Sequence, residues 1–326
     1  MRTRRRIALI AGASAILLLA LEVSARIYAQ ASGRERGLAL DDQLGWRPLA
    51  GIEKRGALWG ANLPARTNAL GWRDKPRETA KRPGTRRALL LGDSYVFGVG
   101  VDDGLRVSEA LEREVPGLEA WNLGVTAYGP DQELLLLESV ADAYAPDDVV
   151  WFACLSNDVE DVRYERRYGH AKPWFELAED RLVPHPPTPS LLDRLRDASY
   201  LAEFALAPLD SRRLAHRYAA PWVERDGLVL FGRIAERLAA TAREHGARFV
   251  CVAIPSQSSE ADAAALAELR ARGLEPLDLT AAFRDADRPA SALHLPDGHW
   301  NAAGHALAAR EVARELRQPE RAGTPR

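Results

Sequence analysis

One stretch of the chain is uninterrupted in its apolar character, and the rest alternates. Ile7 to Leu21 (IALIAGASAILLLAL) carries no charge. Further on, short apolar runs take turns with segments whose apolar positions recur at helical spacing. Arg87–Leu91 (RALLL) is a short run ending at a glycine, and Leu105–Glu114 suits a helix. Leu118–Leu123 (LEAWNL) suits a strand. Asp131–Ala145 suits a helix, with Leu137, Val140, Ala141 and Tyr144 at i, i+3, i+4 and i+7. Asp148–Leu155 (DVVWFACL) and Arg248–Ile254 (RFVCVAI) read as buried strands, the second stopped by Pro255. Leu228–His245 and Ala261–Arg272 are helical in pattern, and Leu274–Leu279 is a short strand. Ala302–Arg317 makes a final helix, with Ala309, Val312, Ala313 and Leu316 on one face and Asn301 placed to cap its start. Alternation of this kind, with continuous apolar strands, implies an α/β fold: a parallel sheet covered by helices on both faces.

Two regions lack this rhythm. Residues 29–83 are rich in Gly, Arg and Pro and read as a stalk and lead-in. Residues 159–226, with Pro173, Trp174, Phe175, Pro184, Pro186, Pro187 and Pro189, are too long for an ordinary connection and read as a lid or substrate-facing insertion, or as a surface excursion. The expected organisation is an N-terminal anchor or signal segment (1–28), the lead-in (29–83), one catalytic domain (84–317) and a disordered tail (318–326).

Composition changes the picture little. Of 326 residues, 47% are hydrophobic and 28% charged, which is globular, and the net charge is −2. No basic tract follows the N-terminus, so nucleic acid is not an expected partner. The two cysteines, Cys154 and Cys251, each lie inside an apolar run and read as buried free thiols. No CxxC or HExxH spacing occurs, so no metal site is expected.

The first residues do change it. MRTRRR before an apolar run is the pattern of a secretory signal or a signal anchor. The uncharged run falls short of the roughly 20 residues that span a bilayer. Extension to Tyr28 supplies the length if Glu22 and Arg26 sit near the interface. An Ala-x-Ala site at Ala29–Ala31 lies late for cleavage, so an uncleaved anchor is favoured over a secreted, cleaved form. Under the positive-inside rule the arginines stay in the cytoplasm and the rest of the chain lies on the outer side of the cytoplasmic membrane.

In parallel sheets the functional groups gather outside the carboxyl ends of the strands. There the chain carries Gly92-Asp93-Ser94, Asn122-Leu123-Gly124 and Ser156-Asn157-Asp158, and Asp297-Gly298-His299 precedes the last helix. A serine hydroxyl becomes a nucleophile when a base takes its proton. Histidine suits that task, with a carboxylate to fix its tautomer, and the oxyanion that forms needs preorganised donors. Ser94 is the candidate nucleophile, His299 the base and Asp297 the carboxylate. The candidate donors are the backbone N–H groups of Ser94 and Gly124 and the side-chain amide of Asn157. Singly, each residue has a plain structural reading as a cap, a turn glycine, an Asx turn or a loop histidine. Together, in one order at successive strand ends, they read as a site.

Four blocks carry a family resemblance: GDSYVFGVGV (92–101), NLGVTAYGPDQ (122–132), SNDV (156–159) and DGHWNAAGH (297–305). They resemble the blocks of the SGNH (GDSL) hydrolases, and TNALGWRD (67–74) resembles a lead-in of membrane-anchored members. The resemblance spans roughly residues 67–317. It implies a three-layer α/β/α sandwich with a flavodoxin-like, five-stranded parallel sheet, and it maps nucleophile, donors and base onto Ser94, Gly124, Asn157 and His299. Many members place the acid three residues before the histidine, where this chain has Pro296. Asp297, two before, matches the Asp-x-His spacing of some acetyl-transferring relatives. Asp93 is a second carboxylate, expected to hold the turn. The implied activity is ester hydrolysis through an acyl-Ser94 intermediate, without cofactor, on a substrate such as an O-acetylated glycan. Acetyl transfer, a lipase or thioesterase, and a non-catalytic envelope protein that binds glycan or a partner are the alternatives.

Overall fold

Burial is continuous along the central strands, and that continuity builds the fold. A computed structural model describes residues 2–32, 37–54, 65–167, 169–206, 227–255, 259–286 and 292–318. The expected tail beyond Gln318, and parts of the expected stalk and insertion, lie outside the described residues. The elements, in chain order, are α1 (Arg2–Ala31), β1 (Leu38–Asp41), β2 (Gly45–Pro48), β3 (Glu53–Lys54), β4 (Ala65–Arg66), β5 (Arg86–Leu91), α2 (Ser94–Phe97), α3 (Val107–Glu114) and β6 (Leu118–Asn122). Then come α4 (Pro130–Tyr144), β7 (Asp148–Cys154), α5 (Asp158–Asp161), β8 (Arg166–Arg167), β9 (His170–Ala171), β10 (Trp174–Ala178), β11 (Arg181–His185) and α6 (Leu191–Ala198). A helical stretch at 200–206 follows. The chain continues with α7 (Gly227–Glu244), β12 (Arg248–Ile254), α8 (Ser259–Ala271), β13 (Leu277–Asp278), α9 (Thr280–Ala286) and α10 (Ala302–Arg317).

Five strands pair in the order β13-β12-β7-β5-β6, and every pairing is parallel. In order of appearance this is 2-1-3-4-5, the flavodoxin-like order, whose direction reverses between β5 and β7. Leu89 and Leu91 of β5, Val149, Trp151 and Ala153 of β7, and Cys251 and Ala253 of β12 face one layer, with α4 and α7. Ala88 and Leu90, Val150 and Phe152, and Val250, Val252 and Ile254 face the other, with α3 and α10. A side-chain period of two sends each strand's apolar residues to both faces, so a strand buried on both sides is apolar throughout. The result is the α/β/α sandwich expected from the pattern.

The region expected as a stalk and lead-in differs from that expectation. Leu44, Trp46 and Trp72 belong to the core cluster of the α4/α7 layer. The Tyr128 hydroxyl donates to the Trp46 carbonyl at 2.5 Å, and Trp72 Nε1 donates to the Tyr144 hydroxyl at 3.0 Å. Arg73 is 2% exposed and donates to the carbonyls of Phe97 (3.1 Å), Gly98 and Val101 (2.7 Å). Composition hid this, because two tryptophans and a buried arginine do the packing where no periodic apolar run exists.

The insertion also packs in part. Phe175 of the β10–β11 hairpin joins the same core cluster, with Leu182 against it. Lys172 is wholly buried on Asp131 at the start of α4. Helix α1 has 30 residues, about 45 Å at 1.5 Å per residue, against about 30 Å of bilayer hydrocarbon. It is long and apolar enough to cross a membrane, and none of its apolar window is buried in the protein.

Candidate active site

The reversal of strand order between β5 and β7 opens a crevice at their carboxyl ends. Ser94 begins α2 directly after β5. Asp93 is its N-cap, accepting from the Tyr95 N–H at 2.9 Å. The structural role expected of Asp93 is therefore visible in its geometry. Helix α2 ends at Gly98, whose φ of 81° is left-handed. Arg73 holds that end through the carbonyls of Phe97 and Gly98, so the TNALGWRD segment braces the serine turn from below.

His299 lies in the loop before α10, which Asn301 caps through the N–H groups of Ala303 and Gly304. The structure brings His299 Nε2 to 2.9 Å from Ser94 Oγ. On the other side of the ring, Asp297 Oδ2 lies 3.2 Å from Nδ1. That is ion-pair distance, but the ring N–H is not aligned for a hydrogen bond, and Nδ1 is buried without a hydrogen-bond partner. Asp297 Oδ1 instead accepts from the His299 backbone N–H at 3.1 Å. The imidazole is further held by Tyr95, whose ring centroid lies 5.2 Å away and whose hydroxyl donates to the Gly298 carbonyl at 3.0 Å. Trp300 is core, packed on Phe283, Phe152 and Tyr95.

Gly124 sits where the β6 loop meets α2. A Cβ there would lie 2.4 Å from Phe97 N and 2.7 Å from the Val96 carbonyl carbon, so only glycine permits the approach. Its N–H, a candidate oxyanion donor, is given to Asn122 Oδ1 at 3.0 Å. Asn157 caps α5, and its Nδ2 donates to Asp161 Oδ2 at 3.0 Å and to Asp93 Oδ2 at 3.4 Å. Both side groups are thus near the serine turn but engaged internally.

Asp161 was not among the residues singled out from sequence. Its position four after Asn157 was the available signal, since i and i+4 share a helix face. Burial raises its pKa to about 6 against the opposing pull of Arg167 and Lys172. Behind it, Glu133 and Asp158 are fully buried, and burial, with repulsion from neighbouring carboxylates such as Asp93 and Asp161, raises both well above the usual carboxylate range. Glu133 accepts from Trp151 Nε1 at 2.6 Å and Asp158 from the Cys154 N–H at 2.7 Å.

His305, in α10, accepts from the Val107 N–H at 3.2 Å. Burial, with Arg73 and Arg106 nearby, pulls its pKa down to about 3, so it is a neutral structural acceptor. Cys154 and Cys251 are buried free thiols whose pKa values burial raises, which suits neither for nucleophilic attack. Among the described residues no group of three or more His, Cys, Asp or Glu could hold a metal ion.

A family model described as "SGNH hydrolase-like domain, acetyltransferase AlgX" matches residues 237–326. That stretch is similar to an SGNH hydrolase-like domain. The match includes Asp297 and His299, while Ser94, Gly124 and Asn157 precede it. No curated protein sequence matches the chain. Among solved structures, a lipolytic protein of the G-D-S-L family from Desulfitobacterium hafniense DCB-2 is 12% identical, with 71% of this chain and 99% of that one covered and a TM-score of 0.44. The lipase/acylhydrolase from Enterococcus faecalis is 15% identical, with 73% and 100% covered and a TM-score of 0.42. The acetyl xylan esterase AlAXEase is 9% identical, with 71% and 99% covered and a TM-score of 0.43. These likenesses are distant.

Proposed function

We propose that the protein is a serine esterase that cleaves short acyl esters, O-acetyl esters above all, through an acyl-Ser94 intermediate. The observation that carries this reading is the 2.9 Å contact between Ser94 Oγ and His299 Nε2, at the switch point of the sheet. His299 takes the Ser94 proton as Oγ attacks the ester carbonyl. The tetrahedral intermediate collapses, His299 returns the proton to the leaving alcohol, and the acyl group stays on Ser94. Water then attacks with His299 as base, releasing the acid.

In this reading Asp297 holds the imidazolium electrostatically, from a half-exposed position. The Ser94 N–H is the first oxyanion donor. The Gly124 N–H and the Asn157 amide join it by sharing or exchanging their internal acceptors, Asn122 and the Asp93–Asp161 pair. The arginines in the first turns of α1 support placing the domain on the outer side of the cytoplasmic membrane, where an acetylated envelope glycan is a fitting substrate.

Acetyl transfer is the second reading. It is favoured by the match of residues 237–326 to a model named for an acetyltransferase. A sugar hydroxyl then replaces water in the second step. The test uses the full-length protein in detergent with p-nitrophenyl acetate, butyrate and longer esters. Ser94→Ala and His299→Ala are each expected to lower turnover by more than about 10⁴-fold. Wild type that cleaves none of these esters, and is not labelled on Ser94 by a fluorophosphonate, would sink the proposal. Formation of acetylated sugar in place of free acetate on adding sugar acceptors would select transfer.

A further inference from the structure

The insertion carries a helix whose outer face is exposed among the described residues. In α6 the residues Leu191, Arg194, Leu195 and Ala198 recur at i, i+3, i+4 and i+7, and all four are exposed. Leu191 is 72% and Leu195 45% exposed. The opposite face is tied down. Asp193 is 7% exposed and accepts from Arg166 Nη2 at 2.9 and 2.8 Å, and Asp197 Oδ1 accepts from the Leu40 N–H at 3.1 Å. The leucines therefore point outward because the polar face is fixed to the domain.

The end of α6 meets the anchor helix. Glu22 Oε2 accepts from Ser199 Oγ at 2.7 Å and from the Leu201 N–H at 3.0 Å, and Glu22 Oε1 accepts from the Tyr200 N–H at 3.2 Å. Arg26 Nη2 donates to the Ala198 carbonyl at 3.5 Å, and its guanidinium lies 5.4 Å from the Tyr200 ring centroid. Tyr28 meets Phe204 edge-on at 5.6 Å, and Ala29 is fully buried. Glu22, Arg26 and Tyr28 of α1 thus meet residues 198–204.

These contacts set a depth. Ile7 to Leu21 is 15 residues, about 22 Å of helix, shorter than the roughly 30 Å hydrocarbon core. The span must continue past Glu22, so Glu22 and Arg26 sit at the edge of the hydrocarbon. A carboxylate there needs partners, and its partners are the N–H groups that open the 200–206 stretch. The residue before that stretch is the end of α6.

We propose that α6 is a membrane-contact surface, lying on the bilayer beside the anchor helix with Leu191 and Leu195 inserted among the lipids. Arg194 between them faces the headgroup phosphates. The domain is then held against the membrane in one orientation rather than swinging on a stalk. This inference does not depend on the reaction at Ser94.

The test reconstitutes the full-length protein into phosphatidylcholine vesicles containing phosphatidylglycerol. An environment-sensitive dye is attached at Leu191→Cys, at Leu195→Cys, or at Arg310→Cys on α10 in the opposite layer. Cys154 and Cys251 are both buried, so the dye reports the introduced thiol. A nitroxide on the lipid headgroup or upper acyl chain should quench the dye at 191 and at 195 and leave 310 bright. Dye at 191 and 195 that is no more quenched than at 310 overturns the proposal. Dye that is shielded without lipid quenching, in proportion to protein concentration, overturns it in favour of a second copy of this chain on the same face.

Discussion

Carboxylates approach the Ser94–His299 pair from two sides and are held in opposite ways. Asp297 comes from the loop before α10, with its side chain 46% exposed, 3.2 Å from His299 Nδ1 and not aligned for a hydrogen bond. Asp93, just after β5, and Asp161, at the end of α5, are buried and converge on Asn157. On the exposed side, water screens the charge and the acid can move. On the buried side, each carboxylate is locked by neighbours and its protonation is coupled to folding. The difference teaches that His299 and Asn157 are supported by different physics, so variants at the two sides should fail differently.

Lys172→Ala is expected to have the largest effect on stability. Lys172 Nζ serves Asp131 and the carbonyls of Asp161 (3.1 Å), Tyr164 (3.2 Å) and Pro173 (3.2 Å), all without exposure to water. Removing it leaves a buried carboxylate unpaired, at a cost of about 3–5 kcal/mol read from urea unfolding. A loss below about 1 kcal/mol would mean that the buried side tolerates charge better than its geometry suggests.

Asn157→Ala tests the same side through turnover. If its amide reaches the oxyanion, kcat for p-nitrophenyl acetate falls by about 10²–10³-fold with little change in KM. Unchanged kcat would leave Asn157 as a structural link between Asp93 and Asp161.

Asp161 gives the buried side a pH signature. Its pKa in the fold, about 6, lies above the 3.8 of the unfolded chain. Between those values the native state holds the extra proton, so stability falls as pH rises through this window and is regained on acidification. The full difference corresponds to about 3 kcal/mol. Wild-type Tm should therefore gain from Asp161 as pH is lowered from about 6 towards 4, and Asp161→Asn should flatten that part of the profile. An Asp161→Asn profile parallel to wild type would remove Asp161 as its source.

Asp297→Asn is expected to give the smallest effect. Neutralising a buried, aligned triad carboxylate costs about 10⁴-fold in kcat. Exposed and unaligned, Asp297 should cost less than about 10²-fold, with Tm unchanged. A loss near 10⁴-fold would mean that substrate binding closes the Asp297–His299 geometry, and the contrast between the two sides would disappear.

Much of this was legible in the chain itself. Strands buried on both faces must be apolar throughout, so Arg248–Ile254 and Asp148–Cys154 announced themselves, and helical periodicity located α4, α7 and α10. Ser94 and His299 could be named because strand ends in a parallel sheet converge, and they lie in hydrogen-bond contact. The lead-in was misread because Trp46, Trp72 and Arg73 pack through single large side chains, which leave no period.

What the linear order determined by itself was the local and periodic part: which segments are strands, which are helices, and which polar residues stand at their ends. Only the tertiary structure decided the rest. It set that the Gly124 N–H and the Asn157 amide are already engaged, that Asp297 is near the ring but unaligned, and that Glu22 of the anchor receives the start of a helix nearly 180 residues away. The physical reason is that hydrogen-bond direction and burial depend on where non-local backbones come to rest, to within fractions of an ångström. Residue type and spacing carry no such information.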